Sequence, residues 1–152
     1  MANIVSRVQD MYLPEWRFLE SFERDGNVFS GSFEVPFSPY LKDRKKINHV
    51  TEVELDVCLS QLCYSSIASL FEVGRFGDSK GLSDFLEIQG EGVLTGISNK
   101  KFRRSIPHGK FDGYVVLDED KCSDSMLIYS GNFADKSILV GPFAVLVNLK
   151  DK

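Results

Sequence analysis

The sequence predicts an α+β domain in which an antiparallel sheet wraps around one long central helix, and three observations carry that prediction. The segment from Thr51 to Phe71 is apolar on nearly every side, the mark of a helix buried all round rather than one lying on a surface. Two strand-like runs precede it and four follow, each bounded by turn residues. No repeat, low-complexity tract or linker divides the 152 residues, so a single domain over residues 1–152 is expected.

Taken in order, Asn3 to Met11 forms a short amphipathic helix that stops before Pro14. Trp16 to Arg24 places Trp16, Phe18 and Phe22 on one side and reads as a strand. Asp25-Gly26-Asn27 is a hairpin turn, because Gly tolerates the positive φ such turns need, and Val28 to Val35 returns. Pro36 to Tyr40 breaks the pattern and opens a loop charged from Lys42 to Lys46.

The central helix then announces itself. Thr51 stands three residues before Glu54, the spacing of a capping box, and Val50 and Leu55 stand where a hydrophobic staple puts them. Loop from Gly74 to Gly81 leads to one or two helical turns at Leu82 to Ile88. Strands follow at Val93 to Phe102, Phe111 to Asp118, Met126 to Phe133 and Ile138 to Leu149. Pro142 inside the last run predicts an edge position or a bulge. One helix wrapped by such a sheet is the hotdog plan. Its open sheet edges predict pairing with a second copy, so a homodimer is expected.

Composition excludes several classes. At 43% hydrophobic and 12% aromatic the chain is too apolar for disorder, and no apolar run approaches the roughly 18 residues of a membrane span. The start lacks the layout of a secretion signal. Cys58, Cys63 and Cys122 are an odd number without CxxC spacing. Neither a disulfide framework nor a zinc site is expected, and the cytoplasm is. A net charge of −4 makes nucleic acid a poor partner. No metal-ligand cluster, phosphate loop or nucleotide fingerprint is present.

The segment from His49 to Tyr64 carries a resemblance. His49, Val53, Glu54, Cys58, Gln61, Leu62 and Tyr64 agree in identity and spacing with the pattern His-Phe-Asn-Ala-Val-Glu, three residues, Cys, any, Asn-Gln-Leu-Ala-Tyr. That pattern is the central helix of the FcoT-like thioesterase family. Ser98 to Pro107 is similar to the family's Ser-x-Arg-Phe-Arg-Lys-Pro strand end, and Arg7-Val8 before Tyr12 to its Arg-Val-x-x-x-Tyr. The resemblance implies a hotdog fold acting on fatty acyl thioesters. Family members include acyl-CoA thioesterases and relatives of enzymes that add glycine to a 2-enoyl thioester. It further implies a polar pocket of two tyrosines, falling on Tyr12 and Tyr40, and two asparagines, whose places are taken here by Thr51 and Ser60.

The chemistry expected is thioester hydrolysis, with coenzyme A or phosphopantetheine entering as part of the substrate and no separate cofactor. Backbone amides at the start of a buried helix suit a developing oxyanion, although a capping box would occupy some of them. His49 is the candidate general base, or a structural histidine holding its loop. His108 reads as an exposed turn residue. Ser60 has no local acid or base to activate it, so orienting water or an amine suits it better than covalent catalysis. Gln61 either bonds a substrate carbonyl or ties down a strand, and Tyr64 lines the pocket beside it. Glu54 is read as a cap, and Cys58 and Cys63 as core-filling thiols. Lys100, Lys101, Arg103 and Arg104 are assigned to the phosphates of coenzyme A or to an acidic acyl carrier protein. Arg44-Lys45-Lys46 is a second basic candidate. The alternatives are conjugate addition of glycine, with Lys42 or Arg44 holding its carboxylate, and a dehydratase-like or non-catalytic acyl-binding protein.

Overall fold

The computed structural model describes residues 2–43, 47–90, 93–96 and 99–149. Arg44, Lys45, Lys46 and Ser98, named above, lie outside the described residues. The order is α1 (Ala2–Gln9), β1 (Leu19–Asp25), β2 (Val28–Val35), α2 (Glu52–Glu72), α3 (Leu82–Ile88), β3 (Val93–Gly96), β4 (Lys100–Phe102), β5 (Gly109–Leu117), β6 (Met126–Phe133) and β7 (Ile138–Val147). The strands form one antiparallel sheet in the order β1-β2-β5-β6-β7-β3, with β4 also on β7. This is the hotdog arrangement.

Helix α2 is the core. Leu55, Cys58, Leu59, Leu62, Cys63, Ile67, Ala68, Leu70 and Phe71 are all buried. The helix starts at Thr51, in extended backbone conformation, with the capping box closed. It stops in a Schellman motif: Gly74, at φ +77°, donates to Phe71 O, and Arg75 donates to Leu70 O. Against the sheet side of the helix lie Phe29, Phe33, Val115, Tyr129 and Phe133. The Tyr129 hydroxyl meets Ser66 Oγ at 2.8 Å, so this buried phenol is satisfied. Two glycines let the layers close. Gly31 and Gly113 are partners on β2 and β5. A Cβ on Gly31 would come 2.5 Å from Leu19 and 3.3 Å from Leu62, and one on Gly113 would strike the Phe133 ring at 2.2 Å.

Three expectations need correction. Trp16 is not in the first strand. Pro14 begins a 3-10 turn that includes Trp16, and β1 starts at Leu19. The run from Val93 to Phe102 is two strands, because β7 changes partner midway. Lys100 pairs with Val140, Asn99 accepts from Gly141 N at 2.7 Å, and beyond that Gly96 pairs with Ala144. Pro142 therefore sits at a bulge, where the β6–β7 register slips between Tyr129 and Gly131, and on an interior strand rather than an edge. His108 is half-buried, its Nε2 3.3 Å from Ser38 Oγ, rather than an exposed turn residue. Among the described residues no helix is long and apolar enough to cross a membrane. All three cysteines are free.

Candidate active site

The N-terminal end of α2 gathers the first group of polar side chains. The segment before it is held beside residues 105–108: Val50 N donates to Ile106 O at 2.7 Å, and His49 bridges Pro107. Between these segments lies a cavity of about 450 Å³ lined by His49, Thr51, Phe102, Arg103 and Arg104, among others. The first-turn amides of Glu52 and Val53 have no intrahelical acceptor by position, and the aligned helix dipoles make this end partially positive.

Thr51 is the hub of a short chain of hydrogen bonds. Its amide donates to Glu54 Oε2 at 3.2 Å, and its hydroxyl donates to the same oxygen. Tyr40 Oη lies 2.9 Å from Thr51 Oγ1. The Tyr40 ring stacks on Trp16 at 6.2 Å between centroids. Glu54 is fully buried, and its other oxygen, Oε1, has no hydrogen-bond partner among the described residues.

The basic run divides by environment. Arg103 and Arg104 are exposed, and their amides both donate to Ser137 O, at 2.8 and 3.2 Å. The Arg104 guanidinium adds a bond to Asp135 O at 3.0 Å. The turn that receives them is unusual, since Ala134, Asp135 and Lys136 all have positive φ (51°, 51° and 62°), a conformation that costs L-residues. Lys101 is exposed. Lys100, assigned to phosphate from the sequence, turns inward with its side chain only 6% exposed. Its Nζ lies 2.6 Å from Asp56 Oδ1 and 3.2 Å from Glu52 Oε1. Burial lowers its pKa, but the bonds to Asp56 and Glu52 and their charges outweigh this and raise it above the ordinary lysine value.

A second group lies farther along α2. Tyr12 lies beside Ser60, with Tyr64 nearby. Burial, then Tyr64, pushes the Tyr12 phenol well above its ordinary pKa, and Ser60 only partly opposes this. Tyr64 is raised by burial and then by Cys63. Nine residues of helix separate Ser60 from Thr51, about 13 Å of rise. Exposed Val53 and half-buried Val57 lie between them, at the spacing that shares a helix face with Ser60 and Tyr64.

Gln61 belongs to the fold's internal bracing. Its Oε1 accepts from Phe18 N (3.0 Å), Leu19 N (2.9 Å) and Gln9 Nε2 (3.2 Å), and its Nε2 donates to Trp16 O at 2.6 Å. The side chain thereby fastens α1 and the entry to β1 onto α2, the strand-tying alternative weighed from the sequence. Two features had no sequence signal: the orphan oxygen of Glu54, and Phe102, which is 47% exposed among the cations.

Comparison with known proteins bears on family and fold. The family model for the FcoT-like thioesterase domain matches residues 7–135. No curated protein matches the chain by sequence. Among solved structures, zebra fish thioesterase superfamily member 2 superposes with a TM-score of 0.58 at 6% identity, over 97% of this chain and 94% of that one. The dehydratase heterocomplex ApeI:P of Xenorhabdus doucetiae gives 0.57 at 12% identity, over 96% and 91%. The fluoroacetyl-CoA thioesterase FlK gives 0.55 at 15% identity, over 85% and 90%. Likeness at such identities establishes the fold alone.

Proposed function

The chain belongs to the FcoT-like thioesterase family, and from that premise we propose that it hydrolyses fatty acyl thioesters at the N-terminal end of α2. The observation that supports this most is that His49, Thr51 and the two exposed arginines line one cavity next to the first-turn amides, with Tyr40 hydrogen-bonded to Thr51. The thioester carbonyl oxygen sits against the amides of Glu52 and Val53, which stabilise it as negative charge develops. His49 takes a proton from the attacking water and returns it to the departing sulfur as the C–S bond breaks. The acyl chain runs along Val53 and Val57 toward Ser60, Tyr12 and Tyr64. Lys101, Arg103 and Arg104 receive the phosphates of coenzyme A or of carrier-linked phosphopantetheine.

This face of α2 is open on its outer side, since Val53 is 47% exposed. A second copy of the chain closes it in our reading, giving a homodimer that works in the cytoplasm. The test is to incubate the protein with saturated acyl-CoA and with enoyl thioesters, with and without glycine, and to follow product mass. Free fatty acid supports hydrolysis. A mass gain equal to glycine replaces it with conjugate addition, and saturable binding without conversion replaces it with an acyl-binding role. Dimerisation is read from sedimentation, with a monomer at working concentration as the contrary result.

A further inference from the structure

We propose that Glu54 is a positioning residue which, acting through Thr51, fixes the direction of the Tyr40 hydroxyl so that Tyr40 presents an acceptor to the attacking water. The inference rests on the hydrolytic reading above and assigns a role to a residue explained so far only as a cap.

The direction follows from counting protons. Thr51 has one hydroxyl hydrogen, and it goes to Glu54 Oε2, which also takes the Thr51 amide hydrogen. The 2.9 Å contact between Tyr40 Oη and Thr51 Oγ1 must then be made by the one hydrogen Tyr40 has. The phenolic oxygen is left with lone pairs only, on a side chain 45% exposed and bonded to Thr51, which lines the cavity. An oxygen so committed accepts a hydrogen bond and cannot offer one, so a water beside it turns its own hydrogen toward Tyr40 and a lone pair toward the carbonyl. The Trp16 stack holds the Tyr40 ring in place for this.

Capping does not account for Glu54. A capping box is served by Gln as well as by Glu. The fully buried carboxyl leaves Oε1 without a partner among the described residues, and the cost of such an orphan is as large as the gain from one cap. Buried polar groups that the fold does not satisfy occur where chemistry uses them. Cys58, one turn farther on, supplies no counter-charge: its thiol is neutral, held so by burial and then by the Glu54 carboxyl, and a thiolate would carry the same sign as a carboxylate.

The test compares wild type, Glu54→Gln, Tyr40→Phe and the double variant, using decanoyl and palmitoyl thioesters of coenzyme A and of N-acetylcysteamine. Expected for Glu54→Gln is a fall in kcat of about tenfold or more with KM changed less than about twofold, while the melting temperature holds or rises. The double variant should be no slower than Tyr40→Phe alone, since the two residues act as one unit. A kcat for Glu54→Gln within about twofold of wild type, or losses that multiply in the double variant, would overturn the proposal. Should Glu54→Gln fail to fold, the Thr51→Val and Tyr40→Phe pair carries the same cycle with the same criteria. A wild-type protein that turns over none of these thioesters removes the hydrolytic reading and this inference together. Turnover with Glu54→Gln unimpaired removes this inference alone.

Discussion

Replacing Gln61 with Leu should unfasten the N-terminal quarter of the molecule. Leu is close to Gln in volume, so little cavity forms and the effect is one of hydrogen bonding. Three main-chain groups lose their partner: Phe18 N, Leu19 N and Trp16 O. Each buried orphan costs about 1–3 kcal/mol. Trp16 is half-buried and lets water reach one of them, so the low end of the range applies and the sum is about 3–5 kcal/mol. Against a typical total of about 5–15 kcal/mol that is a large fraction. At a urea slope of about 2 kcal/mol per M, the midpoint should fall by about 2 M. Gln61→Glu should cost a comparable amount, because it keeps the acceptor for both amides but sets a carboxylate oxygen against Trp16 O. The assay is equilibrium urea unfolding by circular dichroism, with Ser60→Ala as the reference variant on the same helix. A loss below about 1 kcal/mol for Gln61→Leu, with unchanged slope, would show that the amide network is not what holds β1 to α2.

Alkaline pH should destabilise the fold. Tyr12, Tyr64 and Tyr129 have pKa values raised above 10.0 chiefly by burial. The folded state keeps protons that the unfolded chain releases above about pH 10, so stability falls as pH rises past that point. Lys100 adds to this, since its raised pKa means its stabilisation is complete below about pH 10 and lost above it. Melting temperatures that do not drop above pH 10, or three tyrosinates appearing at the ordinary pKa by absorbance, would contradict it. Lys100→Met should lower stability by about 1–2 kcal/mol with little change in coenzyme A affinity. Arg103→Ala and Arg104→Ala should do the reverse, and titration calorimetry paired with thermal melts separates the two. Lys136→Gly should raise stability by about 1 kcal/mol by relieving left-handed backbone, and a lowered melting temperature would refute that.

What the sequence made legible was local chemistry and period. The Thr51 and Glu54 spacing and the Gly26 turn each name a structure within a few residues, and each is present. The all-round apolar pattern found the helix, which is buried on every side along residues 65–71 but leaves Val53 exposed and Val57 half-buried nearer its start. The misreadings came from distant partners. Trp16 alternates correctly with Phe18, yet Pro14 holds it in a turn and Gln61 bonds its carbonyl from across the chain. The strand expected from Val93 to Phe102 is broken by what β7 does at Gly141 and Pro142, some forty residues later. Lys100 stands in a run of four cations, and only the fold shows that Asp56 and Glu52 draw it away from the others. Gln61 carried two readings because an amide's partners are chosen by tertiary contact, not by its neighbours in sequence. The orphan oxygen of Glu54 is a property of its surroundings, and no spacing rule announces it.

The missing side chains at Gly31 and Gly113 form a crease on the face of the sheet that meets α2. Leu62 rests in it, and Leu62 is the immediate neighbour of Gln61 and stands two places from Ser60. A methyl group inserted at Gly31 has to displace Leu19 or lift that part of α2. The reacting surface proposed on the front of the helix is thus levelled from behind, and a change far from that surface would still tilt it.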